Sequence, residues 1–372
     1  MQIDPFAVEI WMNEWETKCT HNLAETCVES LTIAELLQVA GQNAADLSAL
    51  LPMKMTYGDI RGSDRLLTAI SGLYAGQGPE NIIVTHGTIG ANMLVHKALI
   101  APGDRVVAIV PTYQQHYSIP ASIGAEVVPL KLCARDGFLP DLEALRAHVT
   151  PDTRMIAINN PNNPTGALMD RAMLEEIAAI ARAADAWVLC DEVYRGTDQQ
   201  GDGMTVSIAD IYEKGISTAG MSKAFSLAGL RLGWVAGPAK LIEAVSIHRD
   251  YDTISVGKLD DHFAAMALEN RDRILARSQR ITRENLAMLS AWVAAEPQID
   301  WVRPASGTVT LLRYDVDLPS RVFCERLMDE EGVLFTPGSA FDMEGYVRIG
   351  FANPKADLKA GLEKVSRFLA RL

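Results

Sequence analysis

From Asn81 to about Val235, short apolar runs alternate with longer segments of helical periodicity. The runs Ile82–Thr85, Arg105–Ile109, Glu126–Leu132, Met155–Asn159, Trp187–Cys190, Ile216–Ala219 and Leu232–Ala236 have the length and texture of buried strands. Between them, Ala91–Ile100 is stopped by Pro102-Gly103-Asp104, and Arg171–Ala184 repeats Leu174, Ile177, Ile180 and Ala181 on one helical face. Strands and helices in alternation predict a doubly wound α/β domain, a mainly parallel seven-stranded sheet with helices on both faces.

Beyond about Asp260 the pattern changes. A long, Arg-rich helical stretch runs through Trp292, followed by shorter strands around Val309–Tyr314 and Tyr346–Phe351. The last segment, Pro354 to Leu372, spaces Leu358, Leu362, Val365 and Leu369 as a closing helix. This predicts a large domain over residues 46–265 and a smaller α+β domain over 266–372, with residues 1–45 joining the smaller one.

Composition narrows the functional classes. Of 372 residues, 48% are hydrophobic and 22% charged, which suits a compact fold throughout. The net charge of −13 disfavours nucleic acid and anionic membranes, since both require a basic face. No apolar run is long enough for a bilayer, and the start carries Asp4, Glu9 and Glu14 instead of a basic, then apolar, leader. Five scattered cysteines without CxxC spacing or a nearby His pair imply a reduced, cytoplasmic setting and no metal site.

Polar residues at strand ends are the strongest chemical signal, because ligands of open parallel sheets bind beyond the carboxyl ends of the strands. Asn163 lies in INNPNNPTG, Asp191 and Tyr194 in CDEVY, and Lys223 in GMSKAFSLAGLRLGW. Singly, each has an ordinary explanation as turn, cap or surface residue. In this order and spacing, from about Tyr57 to Phe351, they resemble the fold-type-I pyridoxal-phosphate enzymes, especially the class I and II aminotransferases of the aspartate-aminotransferase superfamily.

That resemblance implies a cofactor, pyridoxal 5'-phosphate, and a set of roles. Lys223 would hold the cofactor aldehyde as an imine and later carry the proton of the substrate α-carbon. Asp191 would keep the pyridine nitrogen protonated, while Asn163 and Tyr194 donate to the phenolic oxygen. Tyr113, in VPTYQQH, occupies the stacking position over the ring. The phosphate would rest on THGTIGAN, at Gly87 and the amides of Thr88 and Ile89, with Ser222 and Arg231 completing the shell. The pattern departs from the family twice: Gly220 stands where Ser or Thr often binds phosphate, and Ile89 where a hydroxyl residue is common.

Tyr57, in TYGDIRG, is similar to the tyrosine that reaches a neighbouring subunit's phosphate, so a homodimer with shared active sites is implied. Arg348, in YVRIGFA, matches the arginine that grips a substrate α-carboxylate, beside Asn163, and GVLFTPGSAF just upstream resembles the family's small-lobe loop. The N-terminal stretch NLAETCVESLT departs most from the family and puts Glu25 where specificity would be set. With RDYDTIS and RIGFANP, this stretch is also similar to capreomycidine synthase, a cyclising relative. The reaction expected is transfer of an amine from an L-amino acid to a 2-keto acid. A lyase or cyclase of the capreomycidine-synthase or C–S lyase kind is the alternative, and it uses the same residues.

Overall fold

The structure is a computed structural model that describes residues 2–372. Seven strands build the large sheet: β1 (Ile82–His86), β2 (Arg105–Val110), β3 (Glu126–Lys131), β4 (Thr153–Asn159), β5 (Trp187–Asp191), β6 (Gly215–Gly220) and β7 (Leu232–Ala236). Their spatial order is β1-β7-β6-β5-β4-β2-β3, parallel except that β7 runs antiparallel to both neighbours. The expected mainly parallel α/β sheet is therefore present, and every predicted strand agrees with an observed one to within two residues at either end.

Two helices differ from the sequence expectation. The helix read from Ala91 begins at Gly87, one turn earlier, directly after β1. The single long helix read after Asp260 is two helices, Lys258–Glu269 and Arg271–Ala295, because Asn270 (φ −112°, ψ 22°) leaves the helical region. Apolar periodicity continues through such a break, so the pattern alone does not reveal it.

A second, four-stranded sheet is formed by Thr336–Pro337, Tyr346–Gly350, Val309–Tyr314 and Ile299–Trp301, in that order and antiparallel throughout. Its core joins Phe323, Phe335 and Phe368 to Trp11 and Leu23 from the N-terminal segment. His21–Asn22 adds in parallel to Val333–Leu334. Further on, Leu36 and Leu37 pack instead with Leu66 and Trp234 beside the large sheet. The N-terminal segment thus spans both cores, and Leu23–Cys27 crosses the space between them. Gly350 is required for this crossing: a Cβ there would lie 1.7 Å from the Glu25 carbonyl oxygen.

A buried polar chain ties β7 and β6 to the residue that follows β5. Trp234 Nε1 donates to Tyr74 Oη at 2.8 Å, Tyr74 Oη lies 2.9 Å from Ser217 Oγ, and Ser217 Oγ donates to Glu192 at 2.8 Å. Burial raises the Glu192 pKa, while Arg195 and these donors offset part of that rise. Tyr74→Phe removes the central hydroxyl and strands the buried Trp234 N–H, while Ser217 keeps its bond to Glu192. We expect it to cost about 1–3 kcal/mol of stability, seen as a lower denaturant midpoint at unchanged slope.

Candidate active site

Parallel register brings the chemistry together. Asn159 pairs with Asp191 across β4 and β5, and Asp191 with Thr218 across β5 and β6, so these strand ends share one level. Asn159 then acts as a bracket: its Nδ2 donates to the Asp191 carbonyl at 2.7 Å, and its Oδ1 accepts the Asn163 amide at 2.6 Å. Asn163 is thereby held beside the strand end that carries Asp191.

The Asp191 side chain is buried, and burying a carboxylate demands donors. Asn92 Nδ2 donates at 2.9 Å and the Val193 amide at 3.1 Å, with His116 Nε2 3.5 Å away. Asn92 is fixed in turn by Thr218, whose hydroxyl donates to it at 2.6 Å. Behind His116 lies His96, ring to ring at 5.9 Å, and both histidines are fully buried.

Asn92, Asn159, Asn163 and Asp191 line a cavity of about 400 Å³ between the two sheets. It gathers Lys223, Asp191, Tyr194, Asn163, Tyr113, Gly87, Thr88, Ile89, Ser222, Arg231, Arg348 and Glu25. Of the residues singled out from sequence, Tyr57 alone stands apart, 74% exposed. Residues the sequence reading did not assign also appear. Cys27 Sγ lies 3.5 Å from Lys223 Nζ, and the Thr26 hydroxyl accepts a short hydrogen bond from the same amine. Glu9 accepts the Tyr113 hydroxyl at 2.8 Å. Asn92 and His116 follow Thr88 and Tyr113 by one helical turn, a spacing that could have flagged them; Thr26 and Cys27 meet Lys223 only across about two hundred residues of chain.

Charges in the cavity are coupled. Burial raises the Glu25 pKa, but the Lys223 ammonium and the amides of Cys27 and Thr26 outweigh it and hold the carboxyl below its usual range. For Lys223, burial opposes the charge, yet Cys27, Tyr194 and Glu25 together push the amine above the ordinary lysine value. Burial also raises the Tyr194 phenol and lowers the Arg348 guanidinium. Arg348 donates to Asn163 Oδ1 and Thr336 Oγ1, both at 3.1 Å, and to the Ala24 carbonyl at 3.2 Å.

The residues fit pyridoxal phosphate. The first amides of the Gly87–Leu99 helix have no intrahelical acceptor and face the cavity with the positive end of the helix dipole. Close approach is enforced nearby: a Cβ on Gly233 would lie 2.4 Å from the Gly87 carbonyl carbon, and one on Gly87 would lie 3.2 Å from Arg231 Nη2. The buried Thr88 hydroxyl has no partner, as a group awaiting an anion should. Thr88 also accounts for the departure at Gly220, where a Cβ would meet Thr88 Oγ1 at 2.6 Å. Its hydroxyl occupies the room a serine side chain at Gly220 would need.

The class I and II aminotransferase model matches residues 30–365. The chain belongs to this family. It is a pyridoxal-phosphate enzyme of fold type I, as the residues at the strand ends implied. Among curated proteins it is similar to capreomycidine synthase of Streptomyces vinaceus, 31% identical over 97% of this chain and 93% of that protein. A pyridoxal-phosphate-dependent aminotransferase from Streptococcus suis superposes with a TM-score of 0.97 at 44% identity, covering 100% of this chain and 99% of that one. The pyridoxal-phosphate-dependent cyclase OrfR gives 0.92 at 29% identity, covering 100% and 98%. Among the described residues, no helix is long and apolar enough to cross a membrane.

One pH effect follows from the buried imidazole behind this family's aspartate. Burial, then neighbouring His116, pushes the His96 pKa down to about 3 from 6.5. The unfolded chain therefore binds a proton that the folded one refuses, and stability falls as pH drops from about 6.5 toward 3. Acid titrations followed by circular dichroism should show a shallower limb in this window for His96→Leu than for the parent.

Proposed function

We propose that this enzyme moves the amine of an L-amino acid to a 2-keto acid, with Lys223 taking and returning the proton at the substrate α-carbon. The observation that carries the reading is the meeting of the Lys223 amine, the Asp191 carboxylate and the Arg348 guanidinium in one cavity. When bound, pyridoxal phosphate supplies an aldehyde that condenses with amines and a cationic ring that accepts electron density from the α-carbon.

Each residue then has a task set by its chemistry. Thr88, Ile89 and Arg231 hold the phosphate, with Gly87 and Ser222 shaping that shell. Asp191 holds a proton on the ring nitrogen, since an adjacent carboxylate favours the cation. Asn163 and Tyr194 would donate to the phenolic oxygen, and Tyr113 would cover the ring. Arg348 grips the α-carboxylate as a fork, a geometry lysine cannot reproduce. The bond that Arg348 donates to Asn163 Oδ1 would couple ring position to substrate position. Thr26, hydrogen-bonded to the Lys223 amine, aims it between proton transfers.

The alternative is a lyase or cyclase that expels a substituent from the substrate or closes a ring on it. The likeness to capreomycidine synthase and to the cyclase OrfR favours it. Lys223, Asp191 and Arg348 would serve both reactions, so the destination of the nitrogen discriminates them. Borohydride reduction should attach the cofactor to Lys223, and labelling of another lysine would sink the assignment. With an amino acid and no keto acid, transfer predicts conversion of the cofactor to its amine form, reversed by 2-oxoglutarate or pyruvate. Retention of the aldehyde with release of ammonia or a leaving group means the lyase or cyclase reading is correct.

We also infer a homodimer in which Tyr57 reaches the neighbouring subunit's phosphate. Leu51, Met55 and Tyr57 are exposed, as are Ile247 and Tyr251, the last at 92%. Buried Arg249 donates to the carbonyls of Ile60 and Val84, joining the two segments into one apolar face. Mixing inactive Lys223→Ala and Tyr57→Ala proteins should restore activity in hybrids, where one site escapes both changes. A light-scattering mass of a single chain would overturn the inference.

A further inference from the structure

The N-terminal helix Ala7–Trp15 lays Val8, Glu9 and Met12 against the cavity, and Glu16 continues the same face one turn on. Glu16 sits at the C-cap, where the helix dipole disfavours negative charge, and no basic residue lies in the last turn. Across the chain, Glu25 enters the same cavity on the Leu23–Cys27 crossing.

We propose that the substrate's side chain ends in a cation, a guanidinium or an ammonium, received by the carboxylates of Glu9, Glu16 and Glu25. This rests on the reading that the cavity binds an amino acid through Arg348. The charges lining the cavity support it. Its cations are Lys223, Arg231 and Arg348, and its anions are Asp191 and the three glutamates. Phosphate and α-carboxylate engage Arg231 and Arg348, Lys223 serves the cofactor, and Asp191 serves the ring nitrogen. Glu9 and Glu16 then remain without a cation, and Glu25 keeps only the amides of Thr26 and Cys27 as its donors. Among the described residues, no lysine or arginine forms an ion pair with Glu9 or Glu16, and Glu9 accepts the Tyr113 hydroxyl.

Independent of the glutamates, two buried groups lining the cavity point to a ligand there. The Arg348 Nε and the Thr88 hydroxyl have no partner, although Arg348 is 2% exposed and Thr88 8%. The carboxylates also act on one another. Burial, then Glu25 and Glu9, raise the Glu16 pKa, with Lys223 opposing. A cation among them reverses that repulsion, whereas a neutral or acidic side chain leaves it in place.

The test uses the holoenzyme, with L-arginine and L-lysine compared against their uncharged near-isosteres L-citrulline and L-norleucine, and against L-glutamate. Binding is measured by calorimetry and by the cofactor absorbance change. The charged pair should bind about tenfold or more tightly than the isosteres, with the margin shrinking as salt rises. Glu16→Gln and Glu9→Gln should each cut the arginine-to-citrulline ratio about threefold or more, and Glu16→Lys should reverse it. Equal or tighter binding of the isosteres or of glutamate, or a ratio indifferent to all three substitutions, would overturn the proposal and leave the amino-acid reading intact. Silence toward every amino acid, with Lys223 still labelled by borohydride, would overturn that reading and this proposal with it.

Discussion

The structure depends on one buried carboxylate. Asp191 ends β5 with its side chain out of water, which is costly unless donors replace the solvent. Asn92 and the Val193 amide do so, with the His116 imidazole 3.5 Å away. The two donors come from different places, the helix after β1 and the turn after β5, and the imidazole beside them from the helix after β2. Holding one charge in the interior therefore packs three connections of the sheet against each other. That rigidity keeps Asp191 in one cavity with Lys223 and the first residues of the Gly87–Leu99 helix.

The second constraint is the crossing of Leu23–Cys27 between the two cores. Its backbone runs so close to the small sheet that residue 350 must lack a side chain, and Gly350 donates its amide to the Leu23 carbonyl at 2.7 Å. The segment delivers Glu25, Thr26 and Cys27 to the lysine, and its Ala24 carbonyl accepts from Arg348. Arg348 and Lys223 are thus joined through a stretch that belongs to neither of the two larger sheets. Specificity written into such a crossing can change without disturbing the sheet, which accords with relatives of one fold including both aminotransferases and cyclases.

One departure from the family pattern has a local physical cause. Gly220 carries no side chain because the Thr88 hydroxyl fills the volume between β6 and the helix that begins at Gly87, and a Cβ would collide with it. Tyr57 stands outside the cavity, exposed like Leu51 and Met55 before it.

Much of this was legible in the chain itself. The seven strands were read because buried parallel strands are short, apolar and separated by helical periodicity, a pattern of period and length. Lys223, Asp191, Asn163, Tyr194 and Arg348 were read because their chemistry is tied to local motifs at strand ends. What stayed hidden was non-local. Asn270 breaks a helix without breaking its apolar stripe, and the Gly87 start extends a helix into a glycine-rich turn. The contacts of Thr26 and Cys27 with Lys223, and of Glu9 with Tyr113, join positions about one to two hundred residues apart. Local residue order determined which groups could do chemistry, because motif and period act within a few residues. Which of them share a cavity, and with what charge around the substrate, was decided only by tertiary packing, where register and burial set distance.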